Sequence, residues 1–348
     1  MTRPRAFLSH TPDMLANYYG PRAVAALEQI AEVVLNPTGD HLDADTLARY
    51  AAGCAVIVSD RMTPGPAGFF DRAPDSLVAF LRCAVDIRNI DVEAASRHGI
   101  LVTRATPGFA VSVAELGISM MIDLARGVSA AVGTYRAGGS PVPAMGRQLQ
   151  GSSIGIIGYG VIAGHFARLA NALGMTVLAC DPHKTIADPH VNQVSFEALL
   201  GEADFVVCLA VATEETESLM NAAAFARMQP HAHFINLSRG NLVDERALAT
   251  ALDAGRIAGA AMDVGRAPDQ MPSPELARRP DVIAVPHIGG LTPSAVEHQA
   301  FDTVEQVRAI LAGSTPDNAV NLDAATRFAR FRQSAFRHSL GSDSPPST

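Results

Sequence analysis

Two residues stand where chemistry could be done. Arg239 and His287 each follow an apolar run that ends in a turn, Ile235-Asn236-Leu237-Ser238-Arg239-Gly240 and Val285-Pro286-His287-Ile288-Gly289-Gly290. An arginine offers a fixed fork of donors that can grip a carboxylate and polarise a carbonyl beside it. A histidine, with a reference pKa of ~6.5, can give or take a proton near neutrality. Each alone also has a plainer explanation, a surface ion pair for the arginine and a structural contact for the histidine. What lifts the pair above that is a third signature earlier in the chain.

Residues 151–181 read GSSIGIIGYGVIAGHFARLANALGMTVLACD. An apolar run (Ile154, Ile156, Ile157) meets Gly158-Tyr159-Gly160, then a helical pattern, a second apolar run (Val177, Leu178, Ala179) and Asp181. Gly158 permits the tight turn out of a strand, and Gly160 lets the backbone approach a pyrophosphate. Ala163 takes the third fingerprint position, where helix and strand pack closely. The helix that starts there aims free N–H groups and its positive dipole end at the phosphates. Asp181, about 20 residues beyond Gly160, can accept hydrogen bonds from ribose hydroxyls and would repel a 2′-phosphate, which favours NAD over NADP. A chain holding such a dinucleotide beside Arg239 and His287 has what hydride transfer to a 2-oxo acid needs: one cation to orient the acid and one group to protonate the alkoxide.

These groups have to be positioned by two α/β units. In the first, strands are expected at 5–9, 32–35, 54–59, 77–84 and 100–103, with helices at 22–31, 43–52, 91–98 and 112–126, an alternation that implies a parallel sheet covered by helices. Residues 133–151, rich in Gly and Pro, read as a loop feeding the fingerprint strand. The second unit continues with helices at 195–201, 221–228 and 244–254 and strands at 205–209, 232–237, 259–264 and 281–285. A long helix at 292–311 follows. The tail carries Arg327, Arg330, Arg332 and Arg337, and its last eight residues read as disordered.

Composition narrows the partners. The 348 residues suggest about two domains. A net charge of −8 without a basic stripe argues against nucleic acid and anionic membrane. Cys54, Cys83, Cys180 and Cys208 are scattered in apolar segments without metal or redox spacing, so buried reduced thiols in a cytoplasmic protein are expected, with no metal site. No apolar run approaches the ~18 residues of a membrane span, and the N-terminal apolar core is too short for a signal peptide.

The chain resembles the NAD-dependent D-2-hydroxyacid dehydrogenase family, which includes phosphoglycerate dehydrogenases and glyoxylate/hydroxypyruvate reductases. The resemblance covers residues from about 50 to 321. It rests on Asn89-Ile90-Asp91, Thr106-Pro107-Gly108, Val113-Ala114-Glu115, the fingerprint with Asp181, Ile235-Asn236 through Arg239-Gly240, Val243-Asp244-Glu245, Met262-Asp263-Val264, Pro286-His287 and Asn318-Ala319-Val320-Asn321. It implies a Rossmann-type NAD domain at 109–291, inserted into a flavodoxin-like α/β substrate domain made of 1–108 and 292–325, with 326–348 as a C-terminal tail. It also implies homodimers formed through the NAD domains. Arg239 would bind the substrate carboxylate and His287 would be the acid/base. Beyond Gly158, Gly160 and Asp181, the cofactor would be lined by Tyr159, Val161, Ile162, Pro182, Ala210, Val211, Thr216, Leu237, Ser238, Asp263, Gly289 and Gly290. Backbone at Ala84, Val85 and Asp86 would meet the substrate carboxylate, and closure of the domains would expel water.

The chain departs from the family in places. The usual Glu five residues after Asp263, which bonds the histidine, is replaced by Pro268. Asp269 could supply a carboxylate instead, or Gln270 a neutral amide as in formate dehydrogenases; Asp269 is preferred, since a carboxylate favours the imidazolium. Asp86 stands where the substrate loop normally has Gly, and is unfavourable there unless it turns away or pairs with Arg88. Leu209 and Val211 replace a common His and Pro. Two other readings stay open: formate-dehydrogenase-like or other atypical hydride transfer, and a non-enzymatic NAD-sensing role like that of the related corepressors.

Overall fold

The computed structural model describes residues 3–340; the last eight residues, expected to be disordered, lie outside them. The chain divides into two compact units, one built from residues up to Gly108 together with those from Pro293 on, the other from Phe109 to Thr292.

The first unit runs β1 (Arg5–Leu8), α1 (Pro12–Tyr18), α2 (Pro21–Glu28), β2 (Glu32–Leu35), α3 (Ala44–Tyr50), β3 (Val56–Ser59), α4 (Ala67–Phe70), β4 (Ala79–Arg82), α5 (Val92–Arg97) and β5 (Leu101–Arg104). Its strands form one parallel sheet in the order β2-β1-β3-β4-β5. β3 and β4 are buried at every residue, as strands covered on both faces must be. Helix starts were legible because side chains cap them: Asp43 accepts from Thr46 N and Asp91 from Ala94 N.

The second unit continues with α6 (Ala110–Arg126), α7 (Val128–Arg136), β6 (Ser153–Ile157), α8 (Val161–Ala172), β7 (Thr176–Cys180), β8 (Val191–Gln193), α9 (Phe196–Glu202), β9 (Phe205–Cys208), α10 (Ala222–Arg227), β10 (His233–Asn236), α11 (Glu245–Asp253), β11 (Gly259–Met262), α12 (Pro274–Ala277) and β12 (Val282–Ala284). Its seven parallel strands lie in the order β12-β11-β10-β9-β6-β7-β8, the doubly wound pattern of a Rossmann fold. The chain winds outward from β6 in one direction and from β9 in the other, so a crevice opens between the carboxyl ends of these two neighbours. α6 buries Val113, Ala114, Gly117, Met120, Met121 and Ala125 on one face and ends on Gly127 in the left-handed region.

α13 (Pro293–Leu311) and α14 (Thr326–Leu340) return to the first unit. The stretch between them explains the Asn318–Asn321 motif. Val320 N donates to Val102 O, and Asn321 accepts from Val102 N while donating to Ile100 O, so it covers the outer edge of β5. Two expectations are corrected. Residues 326–340 form a helix in place of a tail; Phe328 is buried in the first core, an apolar anchor hidden from composition by the arginines around it. Residues 133–136 belong to α7 and not to the loop, because Gly133 is tolerated inside a helix that its neighbours favour.

At the carboxyl ends of β1, β3 and β4 the first unit buries a charged network. The Asp60 carboxylate accepts from Ser9 Oγ (2.7 Å), Thr63 Oγ1 (2.6 Å) and Thr63 N (2.9 Å). Burial opposes its ionisation, but the charge of a protonated His10 and the Thr63 and Ser9 bonds hold it down at about 2. The guanidinium of Arg82, fully buried, donates to the carbonyls of Asp60 and Thr63 and to Asn89 Oδ1. This gives the Asn89 motif a structural role, tying two strand-end loops together. His10 is itself buried and pushed down to about 4 by desolvation, and His233 in the second unit likewise falls to about 4. Both rings fold neutral, so the unfolded chain binds more protons between pH 6.5 and 4 and stability falls as pH is lowered through that window. Urea unfolding at pH 5 should show about 3 kcal/mol less stability than at pH 7. The double variant His10→Phe, His233→Phe should flatten that slope, and a slope kept intact would contradict the assignment.

Candidate active site

Strand register assembles the chemistry. Asn236, Met262 and Ala284 are paired across β10, β11 and β12. Asp263 follows Met262 directly, and Arg239 and His287 lie three residues beyond Asn236 and Ala284, on three adjacent strand ends of the second unit. Asp263 sits at the centre, buried, and its carboxylate accepts from Ile288 N (2.7 Å) and Gly289 N (3.0 Å). Burial raises its carboxyl above the usual range, opposed by those two N–H groups and by the positive charges of His287 and Arg239. Asp263 therefore pins the turn that carries His287 and lies in the field of both candidate catalytic groups.

His287 adopts φ 54°, and its Nδ1 is 2.8 Å from the main-chain carbonyl oxygen of Asp269. This revises the expectation for Asp269: the ring nitrogen meets that residue's backbone, not its carboxylate. The reason is local. Asp269 and Gln270 both take left-handed conformations (φ 56° and 59°), which turns the carbonyl toward the ring. A carbonyl only accepts, so Nδ1 carries a hydrogen and Nε2 is the nitrogen that exchanges a proton. Gln270 does not supply this contact either; its Oε1 is buried without a hydrogen-bond partner.

Arg239 is shaped from beneath by Asn236, whose role sequence reasoning missed although a buried polar residue ending an apolar strand was the visible signal. Asn236 Nδ2 donates to Arg239 O (3.0 Å), and its Oδ1 accepts from Ser238 N (3.2 Å). The Arg239 guanidinium donates to Ser238 O (2.7 Å), and Ser238 Oγ donates to Ala210 O. Leu237 is buried in the core beside α6 and α8.

The dinucleotide fingerprint fits its cofactor. Gly158 has φ 83°, and a Cβ there would lie 2.5 Å from Ala210 Cα, so the first glycine is required by the close approach of the β6 and β9 turns. A Cβ on Gly160 would point into open space, leaving room for a phosphate. Gly160 gives α8 no side-chain cap, so the N–H groups at Val161 and Ile162 are presented to an anion. Asp181 Oδ2 accepts from Tyr159 N (2.9 Å) and Oδ1 from His183 N (3.0 Å), which fixes the carboxylate at the end of β7 with Pro182 beside it. Thr216 Oγ1 donates to Val211 O (2.7 Å) and closes the loop bearing the exposed Val211. A Gly158→Ala variant should lose NADH binding by tenfold or more at a stability cost of about 2 kcal/mol, since both the positive φ and the contact oppose it. Fluorescence titration with NADH and urea unfolding check the two effects.

In the first unit, the Asp86 side chain is paired. Arg88 Nε and Nη2 straddle its carboxylate at 2.7–3.1 Å, and Arg88 N donates to Oδ1 (3.0 Å). The charge at the Gly-replacing position is thus matched by its neighbour two residues on. Ala84 O accepts from Ala105 N (3.1 Å), and Val85 follows in the same turn.

A Rossmann unit with a fingerprint, an acid at the end of β7, and an arginine and a histidine on neighbouring strand ends is the architecture of a nicotinamide-dinucleotide-binding domain. Residues 118–289 match the family model described as D-isomer specific 2-hydroxyacid dehydrogenase, NAD binding domain. The chain is 36% identical over 251 residues to D-3-phosphoglycerate dehydrogenase of Synechocystis sp., covering 70% of this chain and 45% of that protein. It is 35% identical over 303 residues to (S)-sulfolactate dehydrogenase of Chromohalobacter salexigens, covering 86% and 97%. Among solved structures it is similar to the TT0316 protein of Thermus thermophilus, with a TM-score of 0.81, 30% identity, and 91% and 99% covered. The chain spans less than half the length of the Synechocystis enzyme but nearly all of the other two. It belongs to the NAD-dependent D-2-hydroxyacid dehydrogenase family.

Proposed function

We propose that this protein interconverts a D-2-hydroxy acid and its 2-oxo acid, the hydride passing between substrate C2 and C4 of the nicotinamide. The observation that carries this reading is the placement of Arg239, Asp263 and His287 on adjacent strand ends of the unit whose fingerprint fits NAD. NAD, when bound, supplies or accepts the hydride. Gly158, Gly160 and the start of α8 would hold its pyrophosphate and Asp181 its ribose. Arg239 binds the carboxylate and polarises the carbonyl beside it. His287 Nε2, its tautomer set by Asp269 O, delivers the proton to the new alkoxide and takes it back in oxidation. The first unit serves as the substrate domain, with Ala84, Val85 and Asp86 as its carboxylate loop.

The experiment is NADH oxidation against glyoxylate, hydroxypyruvate, pyruvate, phenylpyruvate and 2-oxoglutarate, repeated with NADPH. Turnover of at least one acid with NADH well ahead of NADPH supports the reading. Equal use of NADPH would overturn the role of Asp181, and no turnover of any would favour the sensing role.

The working form is a homodimer in the cytoplasm, acting on a small molecule without nucleic acid or membrane. Support for the dimer comes from α7 and the segment after it, where Val128, Tyr135, Val142 and Met145 are 50%, 67%, 87% and 100% exposed. So much apolar side chain on one unit is what a second copy would cover. Light scattering should report twice the chain mass, and Val142→Asp with Met145→Asp should shift it to one.

A further inference from the structure

The structure assigns Arg266 as a positioning residue for His287, an inference that rests on the function proposed above. The carbonyl that sets the His287 tautomer sits in a loop that is costly to form. Asp269 and Gln270 are consecutive non-glycine residues at positive φ, and the loop closes on itself through Gly265 N to Gln270 O (2.7 Å), Ala267 N to Met271 O (3.0 Å) and Met271 N to Pro268 O (3.3 Å). Such conformations persist when the surroundings over-determine them.

Arg266 does this from within the loop. Its main-chain N donates to Glu245 Oε1 (2.9 Å), its Nε to Val243 O (3.0 Å), and its Nη2 to Asn241 O (2.9 Å), Glu217 Oε1 (2.7 Å) and Ser218 Oγ (3.2 Å). Asn241 and Val243 follow Arg239 closely in sequence. A Cβ on Gly240 would collide with Gly265 O, so the segment leaving Arg239 and the loop bearing Asp269 touch backbone to backbone. One guanidinium therefore spans the segment that carries the carboxylate anchor and the loop that carries the histidine's acceptor. Among the described residues, five non-glycines have positive φ; Ser218, Asp269, Gln270 and His287 are four of them, all on this assembly. A half-exposed ion pair with Glu217 would by itself contribute little. The two backbone carbonyls are what make Arg266 a clasp, and only a planar fork reaches both together with the carboxylate.

The test uses the full chain with Arg266→Ala, Arg266→Lys and Glu217→Ala, reading kcat, KM, NADH affinity and the 15N-labelled imidazole signals of His287. Arg266→Ala should lower kcat by about ten- to a hundredfold, since small misplacements of catalytic groups cost that much. NADH affinity should stay within about twofold, and the His287 Nδ1–H signal should broaden or vanish. Arg266→Lys should fall between, and Glu217→Ala, which keeps the backbone bonds, should lose only a few-fold; these two carry the test if the alanine variant does not fold. Wild-type kcat with an intact Nδ1–H signal, or a loss matched by equally weakened NADH binding, would overturn the inference. Activity that is lost in Arg239→Ala but kept in Arg266→Ala sinks this inference alone, whereas activity kept in Arg239→Ala sinks the function it rests on.

Discussion

Replacing Arg239 by alanine is expected to lower kcat/KM for 2-oxo acid reduction about a thousandfold while NADH binds within about twofold of wild type. The magnitude follows from two losses. A charge-assisted fork on the substrate carboxylate contributes roughly 1.5–3 kcal/mol. A fixed positive charge beside the developing alkoxide adds a comparable amount that acts only in the transition state. About 4 kcal/mol together corresponds to three decades in rate. Arg239→Lys should recover part of the charge effect but not the two-point grip. The alanine variant also removes one of the two cations opposing the burial of Asp263, so its carboxyl should rise further. Steady-state kinetics with NADH titration in parallel separates these effects; a fall in NADH affinity matching the fall in kcat/KM would mean that Arg239 shapes the cofactor site.

His287→Gln is expected to lower kcat by a hundred- to ten-thousandfold, roughly the range for loss of a general acid. The sign of the pH effect distinguishes this role from packing. Reduction takes a proton from the ring and oxidation returns one to it, so the two rates respond to pH with opposite sign. In the glutamine variant both slopes should disappear together. A variant that keeps the wild-type slopes at reduced rate would show that another group moves the proton.

The strand ends were legible because parallel strands buried on both faces read as apolar runs that stop at a turn. That is why Arg239, Asp263 and His287 could be placed at strand ends, and why Gly158, Gly160 and Asp181 stood out. What it could not show was which atom of a residue acts. The sequence points to the carboxylate of Asp269, but two consecutive left-handed conformations bring its carbonyl to His287, and nothing in Pro268-Asp269-Gln270 announces positive φ at non-glycine residues. Arg266 has no sequence signal, because the acceptors that join it to the segment after Arg239 are the carbonyls of Asn241 and Val243. α14 was hidden by its arginines, although Phe328 and Phe331 mark a face three residues apart. Arg82 lies inside an apolar strand pattern, and the loop carbonyls and Asn89 Oδ1 that converge on it explain a buried guanidinium.

Direct hydride transfer between nicotinamide and substrate, as proposed for the site built on Arg239 and His287, leaves an isotopic mark on the product. NADH deuterated at both C4 positions, incubated with the protein and the 2-oxo acid it turns over best, should yield the D-2-hydroxy acid carrying one deuterium on C2. A product without deuterium at C2, or one of the opposite configuration, would contradict the proposed reaction.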